Sequence, residues 1–236
     1  MPPSLKRAVM VGVVVLATSC GDDGPGPTSP TLPQTITVSG SGILLNGRSE
    51  TYAASTTGCS WGSDAPTVVR IDATSGQVTA LAAGKATIWC DAQGTRGTKL
   101  IEVYPNFQWT WHGTWVMSSC TASGELAESC SGFESGSQMG FKATWTQNTD
   151  RVSGSFSFDR EQGAGAGFVG SSYDLLFTGR ATFQTSVYDT VWRLRSDRLA
   201  EMTGSVSMSI TRPGSTGSVV IDGSVVNVLG YPTPSP

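Results

Sequence analysis

Short runs of alternating apolar and polar residues, separated by turn signals, constrain the fold of this chain more than any other feature. In the runs 35–38, 85–90 and 152–158, every second residue is apolar, aromatic or glycine. An alternation with a period of two is typical of a β-strand that has one face in a core. The second half of the chain has no apolar stripe with helical spacing that is long enough to predict a helix. The sequence therefore predicts an all-β protein.

The first half of the chain, residues 34–105, predicts a β-sandwich. Its alternating runs form seven short strands, and turn signals such as Asn46-Gly47, Ser75-Gly76 and Ala83-Gly84 recur about every ten residues. Many short strands with frequent turns are the pattern of two antiparallel sheets packed face to face.

Four motifs in this half follow one another in a recognisable order. They are Trp61-Gly62-Ser63, Val68-Val69-Arg70-Ile71, Gly76-Gln77-Val78-Thr79-Ala80 and Ala83-Gly84-Lys85-Ala86-Thr87-Ile88. In this order they resemble the group 2 bacterial immunoglobulin-like family, and the resemblance covers about 70 residues. It implies an immunoglobulin-like sandwich that serves as a spacer or adhesion module on bacterial surfaces, and it implies no catalysis.

The second half, residues 106–230, predicts an antiparallel meander that closes into a β-barrel-like domain. About eight strands follow one another over roughly 125 residues. A meander of that size removes its open edges best by closing on itself. The glycine-rich run 163–167 interrupts the strands, and we expect it to be a mobile loop.

Two resemblances accompany the predicted barrel. The opening Gly113-Thr114-Trp115 resembles the Gly-x-Trp strand of lipocalin-like and avidin-like barrels, and this resemblance implies the architecture alone. Together with the cysteine-bounded loop 120–130 and the run 144–158, the opening strand also resembles an uncharacterised domain of bacterial lipoproteins. That second resemblance implies no activity.

The N-terminus carries the pattern of an export signal. Lys6 and Arg7 precede an apolar run, residues 8–17, that is too short to span a bilayer as a permanent helix. Cys20 follows directly after small residues, so the segment resembles a bacterial lipoprotein signal, whose final cysteine becomes the acylated N-terminus. We therefore expect a signal peptide over residues 1–19 and lipidation at Cys20. An ordinary signal peptide followed by a free cysteine is the alternative.

The segments that flank the predicted domains have compositions that do not build a core. Residues 20–33 contain four prolines and three glycines, which predicts a tether between the membrane and the folded part. Residues 231–236 are expected to form a disordered tail.

Apart from Cys20, the chain has two cysteines in each half. They are Cys59, Cys90, Cys120 and Cys130. An even number agrees with disulfides formed in an oxidising compartment. Four cysteines admit three connectivities, and pairing by proximity gives Cys59–Cys90, expected to bridge the two sheets of the sandwich, and Cys120–Cys130. Their spacings do not resemble paired zinc ligands, so we expect no metal site.

The charge balance bears on the partners of the protein. The whole chain has a formal net charge of -3, and removal of Lys6 and Arg7 with the signal leaves 13 basic against 18 acidic residues, a net charge of -5. An acidic chain without a basic stripe argues against a nucleic-acid partner. Arg193, Arg195 and Arg198 form one small basic cluster, which is either a site for an anionic partner or a solvated face.

Tryptophans supply the best candidates for a binding site. Trp109, Trp111 and Trp115 of the opening strand, together with Trp145, could line a pocket or a stacking surface for a sugar or an apolar ligand. The alternative is that these tryptophans pack inward as barrel core, where aromatics on one face of a strand usually lie.

Catalytic arrangements have weaker support in the sequence. His112 is the only histidine, and a Ser-His-Asp triad would have to use it, although the alternation places its side chain opposite the tryptophans. A glycosidase would need two carboxylates that face each other across a cleft. The acidic residues near predicted loops are Glu125, Glu128, Glu134, Asp159 and Glu161. Solvated loop charges are the more common role of such residues, so we expect no enzyme.

These observations favour a non-catalytic lipoprotein of the bacterial cell envelope, at the outer membrane or cell surface. It would display an immunoglobulin-like spacer or adhesion module and a β-barrel binding domain. The expected partners are the membrane, through the lipid anchor, and an envelope protein or a glycan, while no cofactor is expected. The alternatives are a carrier that holds a small apolar ligand or glycan in the barrel and, with least support, a carbohydrate-active enzyme.

Overall fold

The computed structural model describes residues 35–159, 161–198 and 200–231, without the side chains of residues 197 and 198. Within these ranges nearly all regular structure is β-strand, and the one helical segment is a short 3₁₀ helix, Gly124–Leu126. The sheets form a β-sandwich followed by a closed antiparallel barrel, so the predicted fold class is confirmed. The predicted signal peptide, Cys20 and the tether lie outside the described residues.

The sandwich consists of nine short strands. They are β1 (Val38–Ser39), β2 (Ile43–Leu45), β3 (Ser49–Thr51), β4 (Ala53–Ala54), β5 (Ser60–Ser63), β6 (Val69–Ile71), β7 (Gln77–Ala80), β8 (Gly84–Ala92) and β9 (Thr95–Tyr104). One sheet has the order β2-β9-β8-β5, the other has the order β3-β7-β6, and β1 pairs with β4. The alternation explains the packing, because Ala86, Ile88 and Cys90 of β8 share one face and are buried in the core.

The disulfide of the sandwich joins two neighbouring strands. Cys59 directly precedes β5 and Cys90 lies on β8, and these strands pair antiparallel with Trp61 opposite Cys90. The two cysteines are bonded, with their Cα atoms 5.1 Å apart. The predicted pairing is confirmed, but the prediction that this bond bridges the two sheets is wrong. Because β5 is hydrogen-bonded to β8, Cys59 lies beside Cys90 in one sheet and not across the core from it.

Eight longer strands form the barrel. They are β10 (Thr110–Ala122), β11 (Gln138–Asn148), β12 (Arg151–Phe158), β13 (Glu161–Val169), β14 (Leu175–Phe183), β15 (Ser186–Arg198), β16 (Glu201–Thr211) and β17 (Val219–Tyr231). Each strand pairs antiparallel with the next, and β10 also pairs with β17, so the ring is closed and has no open edge. Tyr231, which we expected to open the disordered tail, is the last residue of β17, and the rest of that segment lies outside the described residues.

The glycine-rich run 163–167, which we expected to be a mobile loop, is the central part of strand β13. Its glycines occupy the positions of the strand that face the barrel interior, and the side chains of its alanines point outward. Gly165 stands opposite Gly154 of β12 and Gly179 of β14, which gives a band without side chains across three strands. A Cβ atom at Gly179 would collide with the ring of Phe156. The prediction is wrong because these glycines make room for interior rings while their backbone stays in the ladder.

The connection between sandwich and barrel is fixed by hydrogen bonds from Gln147 of β11. Its Oε1 accepts a hydrogen bond from the backbone N–H of Phe107 at 2.7 Å, and its Nε2 donates to the carbonyl of Pro105 at 3.0 Å. A second contact lies nearby, where the Tyr173 hydroxyl donates to Oε1 of Glu102 at 3.2 Å. The side chain of Gln147 therefore satisfies two backbone groups of the segment that connects β9 to β10, the carbonyl of Pro105 and the N–H of Phe107.

Candidate functional site

The tryptophans that we predicted as binding residues lie mostly in the packed interior of the barrel. Trp111, Trp115 and Trp145 are fully buried, whereas Trp109 is half-buried and packs against that core. The interior rings contact one another at centroid separations of 5.1–6.4 Å, in tilted, edge-on and stacked arrangements. These rings are Trp115, Phe141, Trp145, Phe156, Phe158, Phe177 and Trp192. Such packing is that of an aromatic core.

The barrel end next to the sandwich is closed by an aromatic plug. Phe107, in the segment before β10, is fully buried in the same core as the interior rings. Its carbonyl accepts a hydrogen bond of 3.0 Å from Nε1 of Trp111, which fixes the tryptophan beneath it. Side chains therefore fill this end of the barrel.

The opposite end is covered by the loop that contains the 3₁₀ helix. Leu126 is buried in the barrel core, and the backbone N–H of Glu125 donates to the carbonyl of Thr216 at 2.8 Å. The predicted disulfide Cys120–Cys130 is present and holds the loop against the end of β10, with the Cα atoms 5.8 Å apart. With both ends covered and the middle filled by rings, a carrier role with an apolar ligand in the lumen loses its support.

The interior offers little chemistry to a ligand or a substrate. Among the described residues, Asn106 and Thr190 are the buried side chains with polar character, and no charged side chain is buried. Thr190 Oγ1 accepts a hydrogen bond of 3.0 Å from Nε1 of Trp192. The indole N–H groups of Trp115 and Trp145 are buried without a hydrogen-bond partner among the described atoms. The described interior therefore contains no buried Asp, Glu, His, Lys or Arg side chain.

His112 lies on the outer face of β10, as its position between inward tryptophans predicts. Its ring makes an edge-on contact with Tyr231 at 5.7 Å, and no hydrogen bond joins it to any described side chain. The segment Gly58-Cys59-Ser60-Trp61-Gly62 matches the letters Gly-x-Ser-x-Gly. Ser60 nevertheless begins strand β5, and no helix follows as a nucleophile elbow requires. The described residues therefore contain no Ser-His-Asp arrangement.

The candidate carboxylates lie at the barrel end away from the sandwich. Glu134 folds back on its own loop, where both carboxylate oxygens accept the N–H of Gly132 at 3.1 Å, and this hydrogen bond lowers the pKa of Glu134. Asp159 and Glu161 flank the turn between β12 and β13. None of the surface grooves described below is lined by these residues or by Glu125 and Glu128. In the part of the chain that the structure describes, no three His, Cys, Asp or Glu side chains are placed to hold a metal ion.

The outer wall of the barrel carries two open grooves. The first, which we call the Arg180 groove, has a volume of about 480 Å³, and the second, the Arg193 groove, one of about 520 Å³. Residues that define the Arg180 groove are Lys142, Thr144, Ser155, Gln162, Arg180 and Thr182. Residues that define the Arg193 groove are Phe168, Asp174, Leu176, Arg193, Arg195 and Thr203. Both volumes fall in the range of about 300–1,000 Å³ that is usual for small-molecule sites.

The two grooves differ in the state of their arginines. Arg180 donates two hydrogen bonds to Asp189, at 2.6 and 3.0 Å, and this pairing raises the pKa of Arg180. Arg195 likewise donates to both oxygens of Asp174, at 2.7 and 3.2 Å, and lowers the pKa of that carboxyl. No ion pair or hydrogen bond joins Arg193 to another described side chain. Among the described side chains of the predicted basic cluster, Arg195 is thus neutralised by Asp174 and Arg193 has no partner, while the side chain of Arg198 lies outside the described residues.

Sequence reasoning missed the apolar side of the Arg193 groove. Phe168 and Leu176 are outward-facing, and Phe168 is 44% exposed. The alternation of Gly163, Gly165 and Gly167 with alanines places Phe168 on the outward side. That signal is readable only when the glycine run is taken as a strand.

Comparison with known proteins does not assign the chain to a family. No family model matches it, and a search of curated proteins finds no match. In the described residues no helix is long and apolar enough to cross a membrane. The described structure is an all-β barrel and sandwich, compatible with a non-catalytic binding module, and its open grooves lie on the outer wall.

Proposed function

We propose that this protein is a non-catalytic lipoprotein of the bacterial cell envelope that displays a binding barrel on an immunoglobulin-like spacer. The observation that carries this proposal is the division of the barrel into a filled, uncharged interior and an outer wall with open grooves. A barrel of this kind meets its partners through the outer wall. The interior supplies stability.

Export and anchoring rest on the sequence. A basic start, a short apolar run and Cys20 directly after small residues support a lipoprotein signal, and the Pro- and Gly-rich segment that follows supports a tether. The two disulfides support a protein that folds in an oxidising compartment. The resemblance of the first half to the group 2 bacterial immunoglobulin-like family supports a spacer or adhesion role.

The hydrogen bonds at the connection support the spacer role. Gln147 bonds to both Pro105 and Phe107, and Tyr173 bonds to Glu102 across the connection. The Gln147 bonds hold the connecting segment against the barrel, and the Tyr173–Glu102 bond joins the barrel to strand β9 of the sandwich. These contacts support a sandwich that serves as a spacer for the barrel.

Anchoring is tested by the substitution Cys20→Ala in a bacterial host. We expect the unchanged protein to incorporate a labelled fatty acid and to sediment with membranes, whereas Cys20→Ala should lose the label and leave the membrane fraction. The matched control is Ser19→Gly, which keeps a small residue before the cysteine and should remain labelled and membrane-bound. Membrane retention of Cys20→Ala would overturn the anchor.

Binding through the outer wall is tested by a screen of the mature chain against glycans and envelope proteins. A partner found in this way should bind more weakly to Arg180→Gln or to Arg193→Gln than to the control Arg70→Gln, an exposed arginine of the sandwich. A partner whose affinity is unchanged by both barrel substitutions but is lost in Trp109→Ala would place binding elsewhere and contradict the outer-wall proposal.

A further inference from the structure

The Arg193 groove combines an unpaired cation with an apolar floor. Arg193 of β15 stands opposite Leu176 of β14, and Leu176 stands opposite Phe168 of β13, so one row of outward side chains crosses three strands. Neighbouring strands lie about 4.8 Å apart, which puts Phe168 and Arg193 at the two ends of a row about 10 Å long. The row therefore presents an aromatic ring at one end, an aliphatic side chain in the middle and a guanidinium at the other end.

The charges of the groove favour a single negative charge on its ligand. Arg195 stands two residues beyond Arg193 on the same face and is held by both oxygens of Asp174. The described side chains of the groove thus supply two guanidinium groups and one carboxylate, and the unmatched charge lies on Arg193. A dianionic phosphate would need a second free cation, whereas a carboxylate matches one planar guanidinium in size and charge.

Gly170 and Gly204 take part in the lining of the groove. Gly204 stands opposite the buried Leu194 in the ladder between β15 and β16, so it occupies an inward position, and a Cβ atom there would collide with the backbone of Arg193. The hollow beside Arg193 therefore lies over backbone, and it adjoins open space at Gly170, where the nearest atom that a Cβ would meet is the carbonyl oxygen of Asp174 at 3.9 Å. A half-exposed phenylalanine at the rim of a hollow is a place where an apolar group loses contact with water on binding.

We propose that the Arg193 groove binds a carboxylate that is carried on an apolar body, with the carboxylate on Arg193 and the body across Leu176 toward Phe168. This proposal deepens the proposed function and rests on it in one respect, namely that the barrel binds through its outer wall. The same chemistry is available from a free aliphatic acid and from the C-terminus of a polypeptide that ends in an apolar residue.

The test follows the Arg193 side chain directly by NMR of the isotope-labelled protein. Octanoate should shift the Nε–Hε cross-peak of Arg193, while acetate, which lacks the body, and octanol, which lacks the charge, should bind at least roughly tenfold more weakly. The second source is examined with the peptide acetyl-Gly-Gly-Phe and with its C-terminal amide. A shift of the Arg193 cross-peak by octanoate alone identifies a free acid as the ligand, and a shift by the peptide acid alone identifies the C-terminus of a polypeptide. Either result supports the proposed carboxylate site in the Arg193 groove.

Substitutions in the groove complete the test. Arg193→Gln should weaken octanoate binding roughly tenfold or more, because a charge-assisted hydrogen bond is lost. Phe168→Ala should weaken it less, and the control Arg70→Gln should leave it unchanged. Both groove substitutions alter outward side chains, so unchanged far-ultraviolet circular dichroism establishes that the variants fold.

Three results would overturn the proposal. They are no shift with either acid, equal binding of octanoate and octanol, and undiminished binding to Arg193→Gln. The last result, if accompanied by a change in the fluorescence of the buried tryptophans, would place the ligand in the lumen and overturn the outer-wall function as well. Absence of any binding would overturn only the proposed ligand site in the Arg193 groove. Membrane anchoring and the binding of other partners are tested separately by the experiments described above.

Discussion

The sandwich and the barrel use the same alternation of residues but reach stability by different routes. The strands of the sandwich are two to ten residues long, its core is largely aliphatic, and a disulfide joins two of its strands. The barrel strands are eight to thirteen residues long, they close on themselves, and a connected set of rings fills the interior. We infer that closure of the barrel concentrates its stability in one aromatic cluster, whereas the two open sheets of the sandwich depend on smaller contacts and on a covalent bond.

Removal of one ring from each core should produce the largest difference in stability between the two regions. Trp192 is fully buried and contacts Phe141, Trp145 and two further rings, so Trp192→Ala should destabilise the protein by about 3–5 kcal/mol. Trp61 in the sandwich remains 8% exposed, and Trp61→Ala should have a smaller effect. Urea unfolding followed by circular dichroism measures both variants. An equal or larger loss in Trp61→Ala would contradict the concentration of stability in the barrel.

Removal of the disulfides should show the opposite order. The chain-entropy model gives a cost of about 4 kcal/mol for a loop such as that of Cys59–Cys90 and about 3 kcal/mol for a loop such as that of Cys120–Cys130. The order follows from the sequence separations of 31 and 10 residues. The paired variants Cys59→Ala with Cys90→Ala, and Cys120→Ala with Cys130→Ala, are compared by urea unfolding. A larger loss from the barrel pair would mean that the loop with Leu126 closes the barrel end more strongly than loop entropy predicts.

The alternation of apolar and polar residues predicted most of the fold, and it failed where glycine occupies the inward positions of a strand. Runs such as 152–158 show their inward face through valine and phenylalanine, so they are recognised as strands. Strand β13 has glycine at three inward positions, so its buried face has no apolar signal. A Cβ atom at Gly163 would collide with the ring of Phe156 on the neighbouring strand, and one at Gly165 or Gly167 would collide with the backbone of β14. Contacts between strands are not visible in a single run of sequence.

The candidate site was predictable only in part, because it depends on strand register. The sequence shows that Arg193 and Arg195 share a face, and it shows Asp174 as one acidic residue among many. Only the pairing of β14 with β15 tells which arginine receives that carboxylate. Phe168 lies 25 residues from Arg193 in the chain and reaches the same groove through two ladders. The same limitation explains why the Cys59–Cys90 pairing was predicted and its position within one sheet was not.

Substitution in the glycine band of β12, β13 and β14 should cause a loss of stability of intermediate size. A Cβ atom at Gly165 would collide with the backbone of Thr178 and Gly179, so Gly165→Ala should destabilise the barrel by about 1–3 kcal/mol. The matched control is Ala166→Ser, an outward position on the same strand, which should change stability by less than about 0.5 kcal/mol. Urea midpoints of the two variants provide the measurement. Equal stability of Gly165→Ala and the unchanged protein would show that the band is not needed for interior packing.

The smallest expected effects come from the outer surfaces, where both regions have bidentate arginine–aspartate pairs. The barrel has Arg180–Asp189 and Arg195–Asp174, and the sandwich has Arg96–Asp91. Arg195 lowers the pKa of Asp174 on the barrel, and Arg96 lowers the pKa of Asp91 on the sandwich. A carboxyl whose pKa is lower in the folded than in the unfolded state contributes stability above its unfolded pKa of about 3.9, and that contribution disappears as the pH falls through the folded pKa. The stability should therefore fall on acidification, and it should fall less in Asp174→Asn and in Asp91→Asn.

Unfolding in urea at pH 7 and at a series of lower pH values separates these contributions. At pH 7, Asp174→Asn should lose less than about 1 kcal/mol, because the Asp174 side chain is 37% exposed and solvent screens the pair. Below the folded-state pKa of Asp174 the variant and the unchanged protein should converge, since the carboxyl is then protonated in both the folded and the unfolded state. Arg96 also stacks on the ring of Trp89 at 4.6 Å, so Asp91→Asn leaves its arginine with a second contact. A stability difference at pH 7 that persists unchanged throughout the acidification would show that Asp174 acts through packing and not through its charge.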